Sequence, residues 1–178
     1  MKKEGKINAP SWDLFIGLFM IIGISYGFIL QREKTTVTIL SSYVALVITQ
    51  VLNPMIQGFF IGDKTIGSFF IRANISSFTI QSVVFALVII LLVTRSGIAG
   101  QRARGLLSPI EVMIYSILNS SLILSTILSF LPEEQKASIV ASSKLASRMV
   151  QYHIWWLVLP AIAMIVIGFR KGLDQPNS

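Results

Sequence analysis

The chain has 178 residues, of which 53% are hydrophobic and only 13% are charged. Soluble domains carry about 25% charged residues, so this composition argues against a soluble catalytic domain and favours lipid as the solvent. The net charge is +7, but the basic residues stand in the breaks between long apolar runs, which favours anionic lipid head groups over nucleic acid as the partner. The lack of cysteine excludes disulfides, thiol catalysis and cysteine-based metal sites.

Five apolar segments have or approach the length of about 20 residues that a helix needs to cross the hydrocarbon layer. In chain order they cover residues 12–30, 36–52, 75–94, 109–131 and 152–169. The first is longer than the apolar core of a signal peptide, and no small-residue cleavage pattern follows it, so we expect an uncleaved helix. We predict an all-α fold, a polytopic transmembrane helical bundle that forms one integral membrane domain over residues 1–178.

The number of spans has two interpretations. The second segment is the least apolar of the first four, and the fifth is short and holds Pro160, which removes one helical hydrogen bond. We predict five spans, with four spans and one segment along the interface as the alternative.

The orientation in the membrane is predicted from the positive residues. With five spans, lysine and arginine divide almost evenly between the two sides of the membrane. They are denser in the short loops near residues 31–34 and 95–105 and after residue 169, which places the C-terminus in the cytoplasm.

Residues 54–74 join the second and third segments and contain two aromatic pairs. Phe59-Phe60 and Phe69-Phe70 flank the polar turn Gly62-Asp63-Lys64. Because aromatic rings accumulate at head-group depth, we expect this piece to lie on the membrane surface or dip into it. The alternative is a loop whose phenylalanine rings pack on helix ends.

Residues 132–150 are predicted to form an amphipathic interfacial helix before the last span. Pro132 suits a helix start, and Glu133 and Glu134 favour the positive helix end. One side of this helix is mostly apolar and the other mostly polar, as expected for a helix lying in the membrane surface. The apolar side carries Ile139, Ala146, Met149 and Val150, and the remainder carries Lys136, Ser143, Lys144 and Arg148.

Glu111 is the most prominent acidic residue within a predicted span, and a carboxylate there would suit proton relay. Its neighbours favour a different role. The stretch Ser108-Pro109-Ile110-Glu111 fits a capping box, with Ser108 as the cap and Glu111 at the third helical position. We therefore expect Glu111 to satisfy helix-terminal amides near the interface.

Asp13 stands next to Trp12 at the start of the first span, within reach of head groups and of the positive end of its own helix. Interface placement is favoured over an ion site. His153 is the only histidine, so one chain cannot build a multi-histidine metal site. It precedes Trp155 and Trp156, which are typical of an interfacial belt, and is expected at the water boundary.

Three amide side chains within the spans, those of Gln50, Gln81 and Asn119, are expected to bridge neighbouring helices. Such bridges contribute about 1 kcal/mol or less each. Small residues also recur at every fourth position, which places them on one helix face where backbones can approach closely. They are Gly23 and Gly27 in the first span, Ser41, Ala45 and Thr49 in the second, and Ser121, Ser125 and Ser129 in the fourth, with Ser116 and Ser120 adjacent.

The layout over residues 12–131 resembles the bacterial colicin V production protein family. An aspartate opens the first span, which ends in Gly27-Phe28, and Arg32-Glu33 in a tight hairpin leads to a second span with serine and alanine. A strongly apolar third span is joined to the fourth by a basic, glycine-bearing loop. The resemblance implies a small bacterial plasma-membrane protein linked to toxin production or export and to envelope maintenance, with no catalytic residues and no cofactor to carry over.

The expected function is therefore a non-enzymatic structural or export-accessory role in the bacterial inner membrane. A small oligomeric channel or transporter, with Glu111 or Asp13 lining its path, is the alternative. An intramembrane enzyme is disfavoured because no reactive groups converge in the sequence pattern. The expected partners are the lipid bilayer with its anionic head groups and other membrane proteins or a second copy of the chain, with no nucleic acid, metal or cofactor.

Overall fold

The computed structural model describes residues 11–29, 31–60, 76–95 and 108–173, and helices account for nearly all of them. No strand occurs in these ranges, so the predicted all-α class is confirmed for them. The helices are α1 (Trp12–Ile29), α2 (Gln31–Phe60), α3 (Ser77–Arg95), α4 (Pro109–Ser129), α5 (Glu133–Ser142), α6 (Lys144–Gln151) and α7 (His153–Leu173).

Helix α4 lies at the centre of the bundle and packs against α1, α2, α6 and α7. Over an 18-residue window of each helix, 61% of the residues are buried in α4, against 11% in α1 and 6% in α3. An apolar helix surface that is not covered by protein must face lipid or another protein. Within the described residues, the outer surfaces of α1 and α3 are therefore left for lipid or for another protein.

The long helices alternate in direction. Gly23 and Gly27 of α1 lie against Ser120 and Ser116 of α4, so α1 and α4 run antiparallel. Ser42 near the middle of α2 bonds to Asn119 near the middle of α4, and Ile39 clusters with Val112. Helices α2 and α4 therefore run parallel. The starts of α1, α3 and α7 lie at one end of the bundle, together with α5 and α6, and the start of α4 lies at the other.

Four helices are long and apolar enough to cross a membrane: α1, the Thr35–Met55 part of α2, α3 and α4. Helix α7 meets the same test together with α6, and this pair bends by 68° at Tyr152. The chain is thus a multi-pass membrane protein with four spans, or five if α6 and α7 together form one bent span. Both predicted counts are compatible with the helices described.

Helix α2 continues past the end that the sequence predicts for it. The prediction ends the second span before Asn53-Pro54, whereas α2 runs on through Pro54 to Phe60. Proline removes one amide donor, but neighbouring helices can offset that loss in a membrane bundle. Here Gln81 Nε2 of α3 donates to Asn53 Oδ1 at 2.8 Å, one residue before the proline. The predicted surface segment beyond residue 60 lies outside the described residues.

Two helices replace the single amphipathic helix predicted over residues 132–150. Ser143 has an extended backbone, with φ −137° and ψ 123°, which ends α5 and begins α6. Its hydroxyl accepts a hydrogen bond from Ala146 N at 2.9 Å and so caps α6. Ser143 is itself buried, and the predicted apolar side packs inwards through Ile139, Ala146 and Met149.

Candidate functional site

Helices α1 and α4 are in close contact through two glycines of α1. A Cβ atom at position 23 would lie 2.8 Å from Ser120 Cβ, and one at position 27 would lie 2.6 Å from Ser116 Cβ. Real Cβ atoms do not approach so closely, so only glycine permits this separation of the two backbones. The predicted Gly23–Gly27 stripe therefore meets a serine face of α4 within the same chain.

Two further serines of α4 divide between the neighbouring helices. Ser121 Oγ lies 3.9 Å from Met20 Sδ of α1, and Ser125 Oγ lies 2.6 Å from His153 Nδ1 of α7. Both serines are buried, whereas Ser129 at the end of the predicted stripe is exposed. The predicted face at residues 121 and 125 thus divides its contacts between two helices.

The contact between α2 and α4 is polar at its centre. Ser42 Oγ lies 3.0 Å from Asn119 Oδ1 and 2.9 Å from the Thr38 carbonyl oxygen, and its single proton can be donated to one of the two at a time. Asn119 therefore bridges two helices, as expected from its sequence context. The bridge expected of Gln81 is also present, to Asn53 of α2. Gln50, by contrast, is exposed, because it lies on the outer side of α2, whereas the neighbouring Thr49 is buried.

A cleft of about 340 Å³ opens between α1 and α3, and we name it the α1–α3 cleft. Its walls are apolar or aromatic side chains: Phe19, Ile22 and Tyr26 of α1, and Ile89, Ile90 and Val93 of α3. Its floor contains the polar residues Thr38 of α2 and Asn119 and Ser120 of α4, and Gly23, Thr94 and Ile123 also line the cleft. Ligand pockets typically have volumes of about 300–1,000 Å³ and apolar linings with a few polar groups, and this cleft has both properties.

Glu111 forms the capping box that the sequence predicts. Ser108 N donates to Glu111 Oε2 at 2.7 Å, and Glu111 N donates to Ser108 Oγ at 3.3 Å. These bonds satisfy amides at the start of α4 that have no partner within the helix. Glu111 therefore lies at the end of the bundle opposite to Asp13.

Asp13 makes a contact that its sequence neighbourhood does not indicate. Asp13 Oδ1 accepts from Ser143 Oγ at 2.7 Å and from Leu145 N at 3.0 Å. The carboxylate of α1 thus satisfies an amide in the first turn of α6, where negative charge is favoured. The expected position near the start of α1 is unchanged, but the partner is the start of a different helix.

His153 packs inwards against Ser125 at the start of α7, rather than standing only at the boundary with water. Within the described ranges, no three histidine, aspartate or glutamate residues come together in a way that could hold a metal ion. The three ionisable side chains that could take part in chemistry within the spans therefore lie apart. They are Asp13, Glu111 and His153, and each bonds to a helix end or to a neighbouring serine.

Sequence reasoning missed the floor of the α1–α3 cleft as a unit. Thr38 was not singled out from the sequence, and Ser120 was named only with Ser116, as neighbours of the small-residue stripe in the fourth span. Asn119 was selected as a bridge between helices and not as a cleft residue.

Comparison with known proteins adds no relative from which a site could be transferred. No family model, no curated protein and no solved structure matches this chain.

Proposed function

We propose that this chain is a non-enzymatic protein of the bacterial plasma membrane with a structural or export-accessory role. The role is the one that the resemblance to colicin V production proteins implies, in toxin production or secretion and in envelope maintenance. In this proposal the chain positions other membrane proteins and performs no reaction itself.

The observation that carries the proposal is the set of hydrogen bonds that the ionisable side chains of the spans make. Asp13 bonds to the start of α6, Glu111 bonds to the start of α4, and His153 bonds to Ser125. A catalytic centre requires reactive groups that converge on one point with matched geometry. These three groups instead stabilise helix ends and helix contacts at separate places, which supports a structural role.

The outer face of α3 is the surface best suited to a partner helix. Helix α3 packs mainly against α2, and its uncovered side carries a stripe of exposed apolar residues, Val83, Leu87 and Leu91, with exposed Ile90 beside it at the wall of the α1–α3 cleft. Their spacing of three and four residues places them on one side of the helix. Helix pairs in membranes associate through packing of this kind.

Single-cysteine cross-linking tests the proposal, because the natural chain has no cysteine to interfere. We expect a photoactivatable maleimide at Val83→Cys or Ile90→Cys to give one discrete protein adduct of the same size in native membranes. Val166→Cys and Ile165→Cys of α7 are matched controls, since their exposed fractions of 59% and 57% resemble the 57% and 61% of the α3 positions. The controls should not give that adduct, and equal labelling of both pairs would contradict a partner at α3.

A small oligomeric channel or transporter is the second candidate. The observation that favours it is the meeting of polar residues Thr38, Asn119 and Ser120 in the cleft floor, at the depth of the spans. Reconstituted vesicles distinguish the two functions. The structural role predicts no ion flux above background for the wild type or for Glu111→Gln, whereas a flux above background in the wild type would replace it with transport, and its loss in Glu111→Gln would place Glu111 on the path.

We place the C-terminus in the cytoplasm and the N-terminus outside, with five spans. The alternating helix directions support an odd number of crossings if α6 and α7 form one span. Cysteines introduced at Gly5 and Gln175 are then expected to react with a membrane-impermeant maleimide from opposite sides of the membrane. Labelling of both from the same side would eliminate the five-span topology, and labelling of Gln175→Cys from outside would invert the orientation.

A further inference from the structure

A second pocket, of about 530 Å³, lies where α5 meets α6 beside the start of α1, and we name it the α5–α6 pocket. It forms at this place because the extended backbone of Ser143 turns the chain between the two helices. Apart from Val140 and Ala141, its described lining is polar or charged. The pocket is therefore suited to a polar ligand and not to an acyl chain.

The charge of this pocket comes from two basic side chains of α6 and one carboxylate. Lys144 and Arg148 are both exposed and stand four residues apart, so they lie on the same face of the helix. Like charges at this spacing repel each other. Lys144 is also the first residue of α6, where the helix dipole disfavours a positive charge.

Asp13 offsets only part of this positive charge. It attracts Lys144, but its carboxylate accepts the hydrogen bonds from Ser143 Oγ and Leu145 N. Within the described part of the chain, neither Lys144 nor Arg148 forms an ion pair. Two cations against one carboxylate leave the pocket with one positive charge in excess, so an anion with a single negative charge complements it.

The pocket lies at the depth of the lipid head groups. Asp13 is the second residue of α1, only about 1.5 Å along the helix from the start of that span. Three exposed aromatic residues stand at the same end of the bundle, as is typical of the membrane interface: Trp12, Tyr152 and Trp155. A phospholipid is therefore favoured over a soluble phosphate compound, because its acyl chains hold its head group at this depth.

We propose that the α5–α6 pocket binds the head group of one anionic glycerophospholipid, with phosphodiester oxygens accepting hydrogen bonds from Lys144 Nζ and from the Arg148 guanidinium. Bonds between cationic donors and phosphate are stronger than neutral ones, and the phosphodiester relieves the repulsion between the two cations. The hydroxyls of a polyol head group, such as that of phosphatidylglycerol, can bond to Ser147 and Gln151. This site is independent of the structural role proposed above.

Native mass spectrometry of the full-length protein tests the site by titration with phosphatidylglycerol and with phosphatidylcholine of the same acyl chains. Phosphatidylcholine has the same phosphodiester, but its choline cation opposes the two basic side chains. The first phosphatidylglycerol is expected to bind the wild type at least fivefold more tightly than phosphatidylcholine. Arg148→Gln should weaken phosphatidylglycerol about fivefold, which corresponds to about 1 kcal/mol per basic residue near the membrane surface. Adding Lys144→Gln should abolish the preference.

Lys136→Gln is the matched control for Arg148→Gln. It removes one positive charge at the same end of the bundle, but Lys136 is paired with Glu133 Oε1 at 2.8 Å and does not line the pocket. Its affinity for phosphatidylglycerol should equal that of the wild type. The exchange Lys144→Arg with Arg148→Lys keeps both charges and should keep the preference, so a loss in the glutamine variants reports charge and not misfolding.

Three results would overturn the proposal. The first is equal affinity of the wild type for the two lipids. The second is an equal loss of phosphatidylglycerol affinity in Lys136→Gln and Arg148→Gln, because the effect would then be one of general surface charge. The third is displacement of phosphatidylglycerol by millimolar glycerol 3-phosphate, because the pocket would then hold a soluble phosphate compound and not a lipid.

Discussion

Replacing Gly27 with leucine is expected to lower the free energy of unfolding by about 1–3 kcal/mol, the usual cost of overpacking a close contact. Gly27 is buried in α1, and any Cβ atom there would come within 2.6 Å of Ser116 Cβ on α4. Ser116 Cβ is fixed to its backbone and cannot turn away, so the two helices must move apart. The measurement is unfolding by sodium dodecyl sulfate in mixed micelles, followed by tryptophan fluorescence.

Gly17→Leu in the same helix is the matched control, because no atom lies within 4 Å of a Cβ at that position. It should leave stability unchanged or raise it slightly, since leucine has a higher helix propensity than glycine. The pair Gly27→Ala and Ser116→Gly provides a second check. If the clash is specific, Ser116→Gly should offset part of the loss caused by Gly27→Ala. Similar losses at positions 17 and 27 would contradict a close contact between α1 and α4.

The number and position of the apolar helices could be predicted from the sequence because lipid imposes one requirement on every span. A helix must present about 20 apolar residues whatever its neighbours are. The predicted spans 12–30 and 109–131 accordingly agree closely with Trp12–Ile29 and Pro109–Ser129. The same holds for the capping box at Glu111, which depends only on residues within one turn of each other.

Features that depend on the neighbouring helix were less predictable. The sequence predicts that the second span ends before Asn53-Pro54, because proline is a local signal for the end of a helix. The hydrogen bond from Gln81 that supports this turn comes from α3, so it cannot be recognised from the residues near Pro54. Gln50 was expected to bridge helices, but hydropathy does not show which side of α2 faces α4. The α1–α3 cleft is the extreme case, since its walls and floor come from four helices and exist only when these are assembled.

The link between Asp13 and α6 leads to the second large expected effect, an opening of α6 in Asp13→Ala. This substitution removes the acceptor of Ser143 Oγ and of Leu145 N, both within the first turn of α6. Helix α6 is only eight residues long, so it depends on capping and on packing against α1 and α4. Lys144 and Arg148 lie within it, and we expect trypsin to cleave there several-fold faster than in the wild type in detergent.

Three comparisons separate loss of this bond from a general loss of negative charge. Glu134→Ala removes an exposed carboxylate in the first turn of α5 and should leave the cleavage rate unchanged. Asp13→Asn keeps an oxygen acceptor without the charge, so its rate should fall between those of the wild type and Asp13→Ala. Ser143→Ala combined with Asp13→Ala should have less than the sum of the single effects, because both substitutions remove the same hydrogen bond. Equal cleavage rates in Asp13→Ala and Glu134→Ala would mean that α1 does not hold the start of α6.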